Sequence, residues 1–372
     1  MNTFLSAAQK SLQEQYLKFV NEVVAPHAAD LDAGKACSKD MLTKLAQAGY
    51  LGITVPKELG GQGGDLLDAV LFVEALAGHS AGLAMALASH YSVVEAISRY
   101  GAELKTRYLP LLARGEMIGA QAFSEDKAGS DLSACQTSFS VSGAGGDAKI
   151  TGSKTWVVNA DMPALFAVLA KDENGFKVFL VDSQNNSLTL SERKSTMGFR
   201  SARFFDVEFK GAKVSAEALG GDGLVIAAAA LDLSKVLVAG AALGLMNVGI
   251  RLAAERANNR EQFGAPIAKY QGVQWKLADF STESAASQML TYRAAWSHAG
   301  EPTEFRKYAA MAKSYASRSA RLHSAEAVQI FGVMGISCDE PLERIYRDAK
   351  LTEVLEGTSE VQKVILKEQL GV

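Results

Sequence analysis

Near its C-terminal end the chain reads Leu355-Glu356-Gly357-Thr358-Ser359-Glu360. A carboxylate placed directly before a glycine and two hydroxyl residues suits a general base, because the glycine gives the backbone freedom to approach a bound substrate. The same residues also suit a solvated helix end, since the polar run Arg347-Asp348-Ala349-Lys350 precedes them. Other chemistry is poorly represented. The five histidines show no metal-ligand spacing, so no metal is expected. Cys37, Cys135 and Cys338 are odd in number and far apart, which reads as reduced thiols.

The elements that must position Glu356 fall into three stretches of a 372-residue chain, long enough for two or three domains. Residues 1–116 read as helices, with apolar residues recurring at helical spacing across Leu42, Leu45, Leu51 and across Val70, Phe72, Val73, Leu76. A glycine-rich segment, residues 59–65, breaks them. No strand leads into it and no Gly-Lys-Ser/Thr follows, so it reads as a connector, with Asp65 the N-cap of the next helix. Residues 117–217 carry short β-rich runs: Thr137–Val141, Lys149–Thr151, Trp156–Asn159, Leu165–Leu169, Lys177–Val181, Leu188–Leu190 and Arg203–Phe209. Turn signals at Gly143–Gly146, Asn174-Gly175 and Ser183–Asn186 predict a small antiparallel sheet domain, a barrel or sandwich. Residues 218–372 return to helical period, with Val236–Ala257, Gln271–Ala295, Pro302–Val328 and Pro341–Leu351 long enough for a four-helix bundle. The fold class is therefore α+β and multi-domain.

Composition excludes several partners. The formal net charge of -3 argues against a nucleic-acid or anionic-membrane surface. No run approaches 18 consecutive apolar residues, and Met1–Gln13 lacks the build of a signal peptide, so a cytoplasmic location is expected.

Several segments resemble the acyl-CoA dehydrogenase family. Ala122-Phe123-Ser124-Glu125 followed by Gly129-Ser130-Asp131 looks like its first signature, and residues 329–348, from Gln329 to Asp348, look like its second. Glu356-Gly357-Thr358-Ser359 follows at the expected distance. Gly52–Pro56, Gly152–Trp156 and Arg260–Gly264 complete a set running in family order along the chain.

The resemblance implies FAD held between the β domain and the bundle, acting on an acyl thioester. Phe123, Ser124, Trp156 and Val158 would meet the flavin, while Arg260, Phe263, Gln271, Gln329, Gly332, Thr358 and Glu360 would complete the cofactor site. Outside this context Trp156 would read as a sheet-core aromatic. Ser130, Lys235 and Gly357 would contact substrate, Ser130 with the pyrophosphate as its other possible contact. Glu356 matches the base that takes the α-proton, and burial against flavin and acyl chain should raise its pKa. The other position at which some members carry the base is Ser234, which cannot serve. A homotetramer or homodimer is implied, with electron-transfer flavoprotein or oxygen as acceptor.

This chain departs from the family pattern in ways that bear on substrate and acceptor. Val158 stands where a threonine hydroxyl usually bonds the flavin, Lys235 where arginine is usual, and Gly332-Val333 where Gly-Gly is common. Asp126-Lys127 replaces Pro-Gly, and Ala202-Arg203-Phe204 replaces a Ser-x-Thr often involved with CoA. Together they resemble members that oxidise acyl or aminoacyl groups on a carrier protein, an expectation set beside ordinary acyl-CoA. Three further readings stay open: a flavin oxidase or monooxygenase on the same fold, a nucleic-acid-binding relative, and a flavin-free structural homologue.

Overall fold

The structure, a computed structural model, describes residues 5–35, 38–141, 147–214, 218–369 and 371. Cys37 and the turn expected at residues 143–146 lie outside the described residues. Three short helices open the chain: α1 (Ala7–Phe19), α2 (Ala28–Ala33) and α3 (Ser38–Gln47). They precede a 35-residue helix, α4 (Leu66–Tyr100), and α5 (Leu104–Arg114). Asp65 caps α4 as expected. Its carboxylate accepts from the Asp68 N–H at 3.0 Å, and the Asp68 carboxylate accepts from the Asp65 N–H at 3.1 Å. The glycine-rich connector before it is tightly folded, since a Cβ on Gly61 would meet the Val55 carbonyl oxygen at 2.1 Å. Helix α4 is apolar on every side and correspondingly buried. It kinks at Ser80 (φ -149°, ψ 87°), whose hydroxyl shares a 2.8 Å hydrogen bond with that of Ser201 from the β domain.

The middle segment forms β1 (Ile118–Ala122), β2 (Ser138–Val141), β3 (Ala148–Val158), β4 (Ala164–Asp172), β5 (Gly175–Asp182), β6 (Leu188–Leu190) and β7 (Phe204–Val214). Most pairings are antiparallel, as the turn spacing implies, but β1 runs parallel to β4, and β2 meets β4 in parallel at Ser138–Lys171. The sheet is therefore mixed. Hydrophobic period marks strands but not their neighbours, and the long connection from residue 123 to 163 permits the parallel crossover. Strand β1 has no counterpart among the expected runs, because Ile-Gly-Ala-Gln-Ala carries only one β-branched residue. The runs Lys149–Thr151 and Trp156–Asn159 join in the single strand β3, with register shifts between Lys154 and Val157. Side chains including Ile150, Phe166, Phe179 and Phe209 form the sheet's own core. Leu165, Leu169 and Val178 face a second core shared with α4, α5 and α6.

The remaining helices are α6 (Gly223–Asn259), α7 (Gln271–Gly300), α8 (Pro302–Phe331), α9 (Pro341–Thr352) and α10 (Ser359–Gln369). A small hairpin of β8 (Glu261–Gln262) and β9 (Ala265–Pro266) joins α6 to α7. Its tip residues Phe263 and Gly264 both have positive φ, the backbone of a tight primed turn. Helix α4 joins this bundle along α6, where a Cβ on Gly244 would stand 2.0 Å from the Glu74 carbonyl oxygen. Both α4 and α6 are long and apolar enough to cross a membrane by length and composition. Here most of that apolar surface is buried inside the protein.

Candidate active site

Glu356 lies in the loop between α9 and α10, with φ of +57° followed by +87° at Gly357. A left-handed residue with a Cβ costs on the order of 1 kcal/mol, so the surroundings must enforce it. Hydrogen bonds to the loop's carbonyls do so. The Ser359 N–H donates to the Glu353 carbonyl at 3.1 Å, and Gln362 Nε2 donates to the Gly357 carbonyl at 2.9 Å. From α8, Lys313 Nζ donates to both carbonyls, at 3.2 Å and 2.5 Å respectively.

The Glu356 carboxylate lines a cavity of about 540 Å³ between the β domain and the bundle. Gln121, Phe123, Ser124 and Trp156 form its β-domain wall. Leu224, Ala228, Leu231 and Lys235 of α6 face them, with Arg306 of α8 and Val361 and Val364 of α10. The loop residues Ser130–Ser133 and the turn residues Gly357 and Thr358 complete the lining. A narrower chamber adjoins it, sharing Gln121, Phe123, Ser124, Trp156, Leu355 and Glu356 and adding Met85, Ser89, Thr155, Val158 and Phe204.

Burial pushes the Glu356 carboxyl above the ordinary carboxylate range, while Ser234, Gln121, Lys313 and Lys235 pull it back. Gln121 Nε2 donates to Glu356 Oε2 at 3.4 Å, and its Oε1 accepts from Ser92 Oγ at 2.7 Å, which fixes the amide's orientation. The Ser234 hydroxyl falls short of full hydrogen-bond geometry, so it acts on the carboxylate as a nearby dipole rather than a committed donor. Lys235 Nζ is paired with Asp232 Oδ1 at 2.5 Å, although its side chain still lines the cavity.

Trp156 is not a sheet-core aromatic. At the irregularity in β3 it takes φ of +58° and turns its ring into the cavity, 48% exposed. Phe204 meets the ring edge-on at 5.8 Å, and Lys194 Nζ lies 4.9 Å from its centre. Behind Phe123 stands a buried cluster. Lys154 Nζ donates to the Phe123 carbonyl at 3.1 Å, to Glu125 Oε1 at 2.7 Å and to Cys135 Sγ at 3.3 Å. Glu125 also accepts from the N–H groups of Gln136 and Thr137 at 2.7 Å and 3.0 Å. Burial opposes its charge, yet Lys154 and these donors hold the carboxyl down to about 2.

The sequence-based candidates thus divide. Phe123, Ser124, Ser130, Trp156, Val158, Lys235, Glu356, Gly357 and Thr358 converge on the cavity and its chamber. Glu360, exposed in the first turn of α10, does not line it. Arg260, Phe263 and Gln271 cluster at the α6–α7 junction, and Gln329 and Gly332 at the end of α8, all on the exposed surface. The segment Ala202-Arg203-Phe204, where the hydroxyls of a Ser-x-Thr are missing, reaches the site only in part. Ala202 is buried near Gly82 of α4, and Arg203 pairs with Asp161 at 2.6 Å, so only Phe204 reaches the site, in the chamber. Gln121 and Lys313 were not among the candidates. Each is a polar group in an otherwise apolar buried run, which is the signal that could have found them.

Comparison with known proteins bears on the family and the fold. The acyl-CoA dehydrogenase N-terminal domain matches residues 6–116, the middle domain 120–212 and the C-terminal domain 221–371. Acryloyl-CoA reductase (NADH) of Anaerotignum propionicum is 34% identical, over 100% of this chain and 96% of its own length. The structure of butyryl-CoA dehydrogenase from Megasphaera elsdenii superposes with a TM-score of 0.95 at 32% identity, covering all of both chains. That of the prolyl acyl carrier protein oxidase AnaB gives 0.93 at 27% identity, over 99% of this chain and all of its own. The chain belongs to the acyl-CoA dehydrogenase family in all three of its domains.

Proposed function

We propose that this protein is an FAD-dependent dehydrogenase that introduces an α,β double bond into an acyl thioester, with Glu356 removing the α-proton. One observation carries the reading: a carboxylate with a raised pKa, held in a left-handed turn, faces a cavity walled by Trp156, Phe123 and Ser124. An α-C–H beside a thioester is a very weak acid, so the base must be close and the carbonyl polarised. Glu356 supplies the base, and its own backbone N–H is a donor for the carbonyl oxygen. Lys235 and Ser130 line the route of the thioester arm, and Gly357 and Thr358 its reacting end.

The residues present fit a flavin. Trp156 offers an aromatic ring to the cavity from a backbone conformation that a core packing role does not need. Phe123, Ser124, Val158 and Thr358 would hold the ring system, with the Val158 side chain giving an apolar contact in place of a hydroxyl. When bound, FAD supplies the two-electron acceptor for the β-hydride. Arg260, Phe263, Gln271, Gln329 and Gly332 are assigned to the cofactor of a neighbouring copy, within a homotetramer or homodimer. Phe263 and Val333, 96% and 78% exposed, are apolar surface that such an assembly would cover.

A second reading concerns what carries the acyl group. The likeness to a carrier-protein oxidase and the Lys235 substitution favour a carrier-linked substrate, with the cytoplasm as its setting. Oxygen or an electron-transfer flavoprotein would then reoxidise the enzyme. Titrating the yellow holoprotein with acyl-CoA and acyl-carrier substrates tests both readings by flavin bleaching. Fast bleaching by the CoA ester alone removes the carrier reading. Glu356→Gln should keep FAD and lose flavin reduction by at least about a thousandfold, and reduction at the wild-type rate refutes the base assignment.

A further inference from the structure

Lys313 is the one lysine of α8 that points inward: it is fully buried, among Ala309, Ala312, Ala316 and Ala320 and the buried Ser317, whose hydroxyl donates to the Thr352 carbonyl. Those alanines show why apolar residues are the default there, and why a charge needs a reason. The ammonium makes no side-chain ion pair of hydrogen-bonding length among the described residues. It spends its donors on two backbone carbonyls, those of Glu353 and Gly357, which bracket Glu356.

We propose that Lys313 is the positioning residue of the base: its ammonium clamps the Glu353 and Gly357 carbonyls, fixes Glu356 in its left-handed conformation, and biases the carboxylate toward the charged form. The inference rests on the reading of Glu356 as the base.

The electrostatics are directional. Three carboxylates face Lys313 from the loop and the helices flanking it, those of Glu356, Glu353 and Glu360, and one cation from α6, that of Lys235. Glu353 is already neutralised by Arg321 at 2.9 Å and Lys350 at 2.7 Å. Lys235 is matched by Asp232. Glu360 is exposed and screened by water. The remaining uncompensated pair is Lys313 with Glu356. Burial pushes the lysine down to about 8, with Glu356 holding it up, so it still carries its charge at neutral pH. On the other side Gln121 and Ser234 touch the carboxylate as neutral dipoles only. Gln362 donates to the same Gly357 carbonyl without bringing a charge, which separates the mechanical from the electrostatic role.

The test uses FAD-loaded enzyme and anaerobic flavin reduction followed across the pH range. Lys313→Met should retain FAD and bind a non-reducible thioether analogue of the substrate within about threefold. Its reduction rate at neutral pH should fall by about ten- to a hundredfold, and its acid limb should move to higher pH by about one unit. Lys313→Arg, which keeps the charge, should return the limb toward wild type. Gln362→Leu should slow reduction severalfold with the acid limb unmoved, and it provides the comparison if the methionine substitution does not fold. An unmoved limb in Lys313→Met, or an equal shift in Gln362→Leu, overturns the proposal. Glu356→Gln run in parallel distinguishes the two failures, because full activity there would remove the base itself.

Discussion

The buried pair of Glu125 and Lys154 ties the stability of the β domain to the wall of the cavity, and the two halves should not respond alike to substitution. Lys154 is 0% exposed, and without Glu125 it would keep only the Phe123 carbonyl and the Cys135 thiol as partners. Glu125 without Lys154 would keep two backbone N–H donors and the thiol. Its carboxyl is held at about 2 against an ordinary 4.5, a difference that corresponds to about 3 kcal/mol. Stranding a buried charge costs about 3–5 kcal/mol. Glu125→Gln should therefore destabilise by about 3–5 kcal/mol and Lys154→Met by less, with the double substitution recovering part of the loss. With an unfolding entropy of about 2.1 cal/mol/K per residue, 372 residues translate 3 kcal/mol into about 4 °C of Tm for one cooperative unit. The sign of the pH dependence follows from the depressed carboxyl: its stabilisation is full above the unfolded value near 4.5 and fades as pH falls toward 2. Calorimetry of the three variants, with FAD affinity measured alongside, is the assay. Lys154→Met should also weaken FAD, because the Phe123 carbonyl loses its donor. Equal losses for the two single substitutions, or strict additivity in the double, would refute the reasoning.

Three further outcomes follow from the same structure. Gly357→Ala adds a Cβ 2.8 Å from Gln362 Nε2 at a φ of +87°, so it should slow flavin reduction about tenfold or more while leaving the Tm within a few degrees, read by stopped flow and calorimetry. Burial raises the Glu74 carboxyl to about 7 despite bonds from Tyr292 and Asn247. Its raised value means stability is greatest below the unfolded value near 4.5 and declines as pH rises toward 7, so Glu74→Gln should flatten part of that decline in urea melts, with Asp348, raised to about 7, and the raised Glu356 and Asp68 carboxyls contributing to what remains. With Glu356 as the proposed base, its raised carboxyl should place the acid limb of flavin reduction above the ordinary carboxylate range, and a limb at or below that range would contradict the assignment.

Much of this was legible before any coordinates. Long apolar-periodic runs announced α4, α6, α7 and α8, since a helix that buries one or all faces must write that in its spacing. Asp65 was readable as a cap because capping is local chemistry. The resemblance drew attention to Glu356. What sequence could not supply was whatever depends on distant neighbours. Strand β1 passed unnoticed because Ile-Gly-Ala-Gln-Ala has little strand propensity of its own and is made a strand by β4. Gln121 and Lys313 matter only through what α4, α8 and the Glu356 loop bring beside them. Trp156 needed the irregularity of β3 to show that it faces the cavity. Arg260, Phe263, Gln271, Gln329 and Gly332 prove exposed, and motif spacing does not say which face of the fold a residue lands on.

The close seat of α4 on α6 has a consequence for how the protein is made. Almost every residue of α4 is interior, yet the helix that covers it begins only at Gly223. A ribosome adding about 5–20 residues per second needs roughly 6–25 seconds to deliver residues 101–222 between them. Through that interval an apolar helix of span length has emerged without its partner. The nascent chain thus offers chaperones a defined client segment, residues 66–100, with a defined moment of release. Slowing translation between the two helices should lengthen that exposure and lower soluble yield without altering the finished enzyme.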